Sequence, residues 1–81
     1  MKELRWDEAK NIKLRDERGA SFEEVSSARF IGIEEHAKRT DQIVLLFEYN
    51  NYIWVIPCVE EKERYFAKTM FPSRKYTRKY L

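Results

Sequence analysis

Two apolar runs separated by a pair of asparagines constrain this chain more than any other feature. The first run, Ile43 to Phe47, is continuous and rich in strand-favouring side chains, which is typical of a strand covered on both faces. Asn50 and Asn51 follow, and asparagine tolerates the positive φ angles that tight turns require. The second run, Tyr52 to Ile56, therefore predicts the partner strand of a central antiparallel hairpin.

The segment before this hairpin carries the signals of two helices. Asp7 is placed to cap a helix from Glu8 to Arg18, and the glycine that follows suits the left-handed position that ends a helix. Ser21, with a glutamate three residues later, forms a capping box that begins a shorter helix from Phe22 to Ala28.

The remaining segments predict two more strands and a terminal helix. Phe30 to Ile33 is the first strand, and the polar stretch from His36 to Asp41 is a loop. Arg64 to Phe71 is the last strand, and strict alternation would place Tyr65, Ala67, Thr69 and Phe71 on one face and Arg64, Phe66, Lys68 and Met70 on the other. Ser73 caps a short C-terminal helix.

The order of these elements predicts an α+β domain. Two N-terminal helices pack on one face of a sheet of three to four antiparallel strands, and a short helix ends the chain. The opposite face, which carries Lys68 and Arg64, is expected to stay open. Pro57 has no N–H for a sheet ladder, so its strand is expected to bulge or reach an edge there.

Length and composition narrow the class of protein. A chain of 81 residues with 43% hydrophobic residues has room for one domain, residues 1–81, with one modest core. A single cysteine, Cys58, cannot build a disulfide framework or a cysteine-based zinc site, and it is expected to act as a buried small hydrophobe in a reducing cytoplasm. No apolar stretch predicts a signal peptide or a membrane span.

The net charge of +2 hides an asymmetry along the chain. Residues 64–81 hold six basic residues and no acid, which leaves 10 basic and 14 acidic residues in residues 1–63. A basic end on an acidic body indicates a surface for a polyanion. It is equally typical of a solvated helix, and charge alone does not decide between the two interpretations.

Three segments together resemble the BrnT family of bacterial toxins. They are residues 6–11 (Trp-Asp-Glu-Ala-Lys-Asn), residues 19–25 (Gly-Ala-Ser-Phe-Glu-Glu-Val) and residues 72–80 (Pro-Ser-Arg-Lys-Tyr-Thr-Arg-Lys-Tyr). Their order and spacing cover nearly the whole chain. The resemblance implies a RelE-like fold and a ribonuclease toxin of a type II toxin–antitoxin pair. It also implies an antitoxin of the BrnA type with a ribbon-helix-helix domain, and a heterotetramer of two toxins and two antitoxins.

RNA cleavage without a metal needs clustered cations and one or two titrating groups around the ribose 2′-hydroxyl. Arg74 and Arg78 are four residues apart on one helix face and suit bidentate contacts with phosphate. Lys68 is a candidate on the last strand, where it also suits a side chain that reaches solvent. His36 is a candidate general base or acid because it alone has an ordinary pKa near neutrality, and a plain surface role fits its polar loop equally.

Further cations and aromatics are candidates for binding RNA rather than cleaving it. Lysine and arginine contact phosphates, and tyrosines among cations can stack on bases, although one tyrosine is expected to pack the helix onto the sheet. The candidates are Lys10, Arg39, Arg64, Lys75, Tyr76, Lys79 and Tyr80.

No segment predicts a metal site or a cofactor, since the glutamates of residues 60–63 lack a ligand spacing. The resemblance to BrnT, taken with this lack of a metal-ligand pattern, implies a metal-independent ribonuclease that acts in the cytoplasm, without a membrane. A non-catalytic RNA-binding or antitoxin-docking module could use the same basic surface, and the residues leave that alternative open.

Overall fold

The computed structural model describes residues 2–35, 38 and 40–81 of the chain. Within this part, three helices and six strands form an α+β architecture around one mixed sheet of order β1-β5-β4-β3-β2, with β6 pairing β4. The elements are β1 (Glu3–Arg5), α1 (Glu8–Arg18), α2 (Phe22–Ser26), β2 (Arg29–Glu35), β3 (Gln42–Tyr49), β4 (Tyr52–Glu60), β5 (Arg64–Ala67), β6 (Phe71–Pro72) and α3 (Arg74–Tyr80).

The predicted hairpin is confirmed and forms the centre of the sheet. β3 and β4 pair from Gln42 to Tyr49, and the two turn asparagines have φ angles of 53° and 62°. Both faces of the hairpin are buried, as its continuous apolar sequence indicates. Leu45, Phe47, Trp54 and Ile56 belong to one core cluster, and Val44, Leu46, Ile53 and Val55 belong to a second cluster on the opposite face.

The first core cluster lies beneath α1 and α2, whose predicted caps are also confirmed. Asp7 accepts a hydrogen bond from the Lys10 N–H, and the glycine after α1 has a φ of 76°. The capping box of α2 is complete, and this helix ends at Ser26, two residues earlier than predicted. Asn11 is buried and joins the helices, because its side chain accepts from the Phe22 N–H at 2.8 Å and donates to Glu8 and Glu23.

The predicted count of three to four antiparallel strands is wrong, because the N-terminus adds β1 parallel to β5. Its register places Leu4 beside Tyr65, and Leu4 packs against the cluster under the helices. Three residues with one apolar side chain give no alternation that a sequence pattern could detect. The sheet is therefore mixed, and β1 leads directly into α1.

The predicted last strand is interrupted opposite Pro57. Lys68 donates its N–H to the Pro57 oxygen at 2.8 Å, but proline has no N–H to donate in return. The ladder between β4 and β5 ends at Ala67, and pairing with β4 resumes at β6. The break predicted for the strand of Pro57 is therefore found in the segment that pairs with it. The strict alternation predicted across this segment is also wrong, because Met70 is buried in the same cluster as Ala67.

The expectation of an open second face is wrong as well, because α3 packs there. The Thr77 hydroxyl accepts from the Ile53 N–H at 2.9 Å, and the Ser73 N–H donates to the Ile53 oxygen at 2.8 Å. Tyr76 packs against the second core cluster. Ser73 caps α3 as predicted, accepting from the Tyr76 N–H. The sheet therefore separates α3 from α1 and α2.

Candidate nucleic-acid interface

The structure divides the sequence-predicted residues between two cationic surfaces. The first, here called the lysine groove, is an open groove of about 420 Å³ between α1 and the end of β5. The residues that line it come from the start of α1 and from the end of β5. They are Asp7, Ala9, Lys10, Lys13, Phe66, Ala67 and Lys68. Lys10 and Lys68, which are 58 positions apart in sequence, thus share one site.

Local structure explains why these lysines converge. Lys10 and Lys13 are three residues apart, so they share a face of α1. Asp7 caps that helix by accepting a hydrogen bond from the Lys10 N–H at 3.1 Å, which fixes the first turn. Lys68 is the first residue after β5. Its N–H donates to the Pro57 oxygen, so its backbone stays close to β4 although the strand has ended.

The lysines of the groove have no internal counter-ion in the described part of the chain. The ion pairs found there involve other cations, and Asp7 accepts its hydrogen bond from a backbone N–H. Lys13 and Lys68 are exposed and Lys10 is half-buried. The three lysines outnumber the one carboxylate of the groove, Asp7, and an excess of positive charge around a concave surface attracts an anionic ligand such as phosphate.

The second surface is the α3 face, which comprises Arg74, Lys75, Tyr76, Arg78, Lys79 and Tyr80. Glu34 of β2 engages three of these side chains. Its carboxylate pairs with Lys79 at 3.1 Å and accepts hydrogen bonds from the hydroxyls of Tyr76, at 3.3 Å, and Tyr80. Three of the predicted RNA-binding residues therefore hold α3 to the edge strand of the sheet.

The electrostatics of this contact follow from one shared carboxylate. The hydrogen bond from Tyr80 lowers the pKa of Glu34, with further lowering by Lys79 and Tyr76. The same carboxylate raises the pKa of Tyr80 and that of Lys79 through their hydrogen bonds. Burial, followed by the charge of Glu34, raises the pKa of Tyr76. The contact is therefore complete when Glu34 is ionised and both phenols are protonated.

Arg74 and Arg78 remain available on the α3 face. Both are exposed, and neither forms an ion pair with a residue that the structure describes. Lys75 is also exposed, and its ammonium lies 5.4 Å from the centre of the Tyr76 ring. The two arginines are the α3 cations that suit a phosphate ligand.

Three other sequence candidates remain, of which the structure describes Arg64. Arg64 pairs with Glu61 of the β4–β5 turn, and this contact raises the pKa of the arginine. His36 and Arg39 lie outside the described residues. The sequence-based assignment of a general base or acid to His36 stays a prediction.

Sequence reasoning missed two members of the lysine groove. Lys13 had a signal, because it follows Lys10 at the spacing that shares a helix face. Phe66 lies at the end of β5, and no sequence pattern predicts that the end of this strand lies beside α1. The contact depends on β1, which sets the parallel edge from which α1 begins.

Cys58 and the acidic clusters offer no competing site. The thiol is buried beneath the helices, as predicted, and burial raises its pKa to about 12, which keeps it protonated. No group of three or more histidine, cysteine, aspartate or glutamate side chains among the described residues could hold a metal ion. No helix in the described ranges is long and apolar enough to cross a membrane.

The fold itself has a known counterpart. No family model and no curated protein matches the sequence. Among solved structures, the chain is similar to the Brucella abortus ribonuclease toxin BrnT, with a TM-score of 0.57 and 18% sequence identity over 90% of this chain and 97% of that chain. The chain has the BrnT fold.

The match extends over nearly the whole of both chains. It confirms the resemblance to BrnT that the three sequence segments indicate. At this level of identity the likeness to BrnT establishes the architecture, and the chemistry of the site has to be argued from its own residues.

Proposed function

We propose that this protein is a ribonuclease toxin of a type II toxin–antitoxin pair, acting in the cytoplasm. The observation that carries the proposal is the lysine groove on a chain with the BrnT fold. Three lysines without internal counter-ions line the groove, although the rest of the chain up to residue 63 is acidic on balance. The solved structure of the same fold is described as a ribonuclease toxin.

The reaction that fits these residues is metal-independent transesterification. The ribose 2′-hydroxyl attacks the adjacent phosphorus, the 5′-oxygen leaves, and a cyclic phosphate forms. Lysine ammonium groups of the groove stabilise the additional negative charge on the phosphorane. The exposed guanidinium groups of Arg74 and Arg78, on the α3 face across the sheet, contact other phosphates of the RNA. We assign Lys68 to this role because its strand ends inside the groove. His36 is the proposed group that removes or donates the proton.

One observation favours a non-catalytic RNA-binding role as the second candidate. The ionisable side chains that line the groove are three lysines and Asp7, and Asp7 is occupied as the cap of α1. None of these is a group whose ordinary pKa lies near neutrality. A groove of this composition can hold RNA without cleaving it, so a direct cleavage assay decides between the two functions.

The proposed partner is a ribbon-helix-helix antitoxin of the BrnA type, in an assembly of two toxins and two antitoxins. An inhibitor of this protein has to cover or compete for the unpaired cations of the groove and of α3. Co-expression with the neighbouring gene, followed by light scattering, is expected to give that heterotetramer. A neighbour that neither co-purifies nor relieves toxicity would remove this part of the proposal.

The deciding experiment expresses the protein alone in bacteria and then assays the purified chain on RNA. We expect arrested growth, together with RNA fragments that end in a cyclic phosphate, both with and without EDTA. A Lys68→Ala preparation made in parallel controls for contaminating ribonuclease. RNA that is bound but left intact would favour the second candidate, and cleavage abolished by EDTA and restored by magnesium would overturn the metal-free mechanism.

A further inference from the structure

Strand β2 forms one edge of the sheet, and its outer side has no partner strand among the described residues. It pairs with β3 alone, because it stands last in the strand order. Alternate N–H and C=O groups of Arg29–Glu35 therefore point away from the sheet, where a further strand can bind them. A bulge between Phe30 and Gly32 disturbs the first half of this edge, but the register from Gly32 to Glu35 is regular.

Two exposed apolar side chains, here called the edge patch, lie on this strand. Phe30 and Ile33 are each 45% exposed. Their cross-strand partners are Phe47 and Leu45, which both belong to the cluster under α1 and α2, so the edge patch lies on that face of the sheet. The rings of Phe30 and Phe47 are in contact, with centres 5.5 Å apart. The edge patch therefore continues the core outwards to an open edge, where a partner would remove apolar surface from water.

The charges at the two ends of β2 indicate which partner fits. Arg29 begins the strand, and its side chain stays 65% exposed although it pairs with Glu48 at 2.9 Å. Glu35 ends the strand, is exposed, and forms no ion pair with a residue that the structure describes. When two identical strands run antiparallel, the start of each lies beside the end of the other. Arg29 of each copy then meets Glu35 of the other, whereas a parallel arrangement would bring like charges together.

We propose that β2 is an interface between two copies of this protein, which join as antiparallel neighbours in one continuous sheet. The two-fold axis of such a pair is perpendicular to the sheet, so both edge patches lie on the same face and meet across the junction. An interface built on one pair of seven-residue strands falls near or below the lower limit of about 1,200 Å² for stable complexes, so the dimer should dissociate on dilution. The edge patch belongs to neither cationic surface, and the proposal does not depend on the ribonuclease function.

Sedimentation velocity of the purified protein over a dilution series tests the dimer. We expect wild type to change from dimer to monomer as it is diluted. Ile33→Lys should weaken dimerisation at least about tenfold, because each dimer then loses two buried isoleucines. Ile12→Lys is the matched control, since it makes the same change at an isoleucine that is 56% exposed on α1 and should leave the dissociation constant unchanged.

Exchange of the terminal charges tests the antiparallel direction. Arg29→Glu and Glu35→Arg should each dimerise more weakly than wild type, because like charges then meet twice. A mixture of the two variants should form a heterodimer at least about threefold more tightly than either forms its own dimer, because both contacts again join opposite charges. Arg29→Glu also meets Glu48 of its own chain, so the recovery in the mixture is the deciding measurement.

Three results would overturn the proposal. They are wild-type protein that stays monomeric up to its solubility limit, a dimer that Ile12→Lys weakens as much as Ile33→Lys, and a mixture of charge variants no more dimeric than its components. If Arg29→Glu does not fold in a thermal melt, the two isoleucine variants still decide. Failure of the ribonuclease function would appear in the cleavage assay and would leave each of these sedimentation results unchanged.

Discussion

The two cationic surfaces of this protein differ in what their charges do inside the fold. In the lysine groove, Lys10, Lys13 and Lys68 have no counter-ion among the described residues. On the α3 face, Lys79 and two tyrosines are bound to the carboxylate of Glu34. Part of the α3 face, where the cations are denser in the sequence, therefore holds the helix in place. The lysines of the groove, which are sparser in the sequence, are available to a ligand.

The difference teaches that cation density along a sequence does not measure the cation surface available for binding. Glu34 precedes Lys79 by 45 residues and meets it only because β2 is the edge strand that α3 reaches across the sheet. Lys10 and Lys68 are distant in sequence, but the helix that follows β1 brings them together. The four predictions below test this contrast, beginning with the largest expected effect.

The lysine groove and the α3 face both depend on the core of the central sheet, so a cavity in that core should destabilise both. Phe47 is 1% exposed under α1 and α2, in the strand that also contributes to the cluster beneath α3. Phe47→Ala should lower the free energy of unfolding by about 3–5 kcal/mol, because it leaves a cavity in the core. Urea unfolding followed by circular dichroism measures the loss. A variant as stable as wild type would mean that the sheet does not depend on this packing.

Lys68→Ala should separate function from folding at the groove. Loss of one group that stabilises a developing oxyanion costs about 2.7–4 kcal/mol, which is a hundredfold or more in rate. The exposed side chain contributes little to stability, so the melting temperature should stay close to that of wild type. RNA cleavage by Lys68→Ala is compared with that by the control Lys62→Ala, because Lys62 is exposed in the β4–β5 turn and lies outside the groove. Equal rates of RNA cleavage by the two variants would show that the reaction does not take place in the groove.

The double change Arg74→Ala and Arg78→Ala tests the available part of the α3 face. Alanine keeps the helix propensity of α3, so the fold should persist with a cost of under about 0.5 kcal/mol at each position. We expect toxicity to be lost, because two cations that contact the phosphates disappear. The measurement is a growth assay beside a thermal melt. A folded double variant with full toxicity would leave the lysine groove as the candidate surface, with His36 and Arg39 as further candidate residues.

The smallest effect concerns the contact between Glu34 and α3, and it depends on pH. The pKa of Glu34 is lowered in the folded protein, so its contribution is present above its ordinary pKa and is lost as pH falls through the lowered value. The raised pKa values of Tyr80, Lys79 and Tyr76 have the opposite sign, and their contribution is lost as pH rises through them. Glu34→Gln should cost about 1 kcal/mol at neutral pH.

Unfolding of wild type and Glu34→Gln across a pH series checks this contact. The difference between the two should be largest around neutrality and should shrink towards acid, where the wild-type carboxylate is protonated. Glu35→Gln is the matched control, because Glu35 is the exposed next residue of the same strand and takes no part in the contact. A constant difference down to strong acid would show that the carboxylate charge does not hold α3.

Local features of this fold were predictable from the sequence because their causes are local. The cap at Asp7, the capping box at Ser21 and the cap at Ser73 each need only residues within one helical turn. The paired asparagines predict their own positive φ angles, and the continuous apolar run predicts a hairpin buried on both faces. The resemblance to BrnT, which rests on three motifs along nearly the whole chain, is confirmed by the structural match.

The predictions that were wrong concern features that depend on contacts between segments distant in sequence. β1 is defined only by pairing with β5. The ladder of β5 ends opposite Pro57, and Met70 beyond it is buried in the cluster of Ala67. α3 covers a face that was expected to be open.

The sequence by itself determined the helix starts, the central hairpin and the supply of cations, since chain-local geometry and side-chain chemistry decide these. Only the tertiary structure decided which cations are paired and which line a groove, because that depends on the order of strands in the sheet. Lys10, Lys13, Phe66 and Lys68 form one site only when β1 lies parallel to β5 and directs α1 past its end.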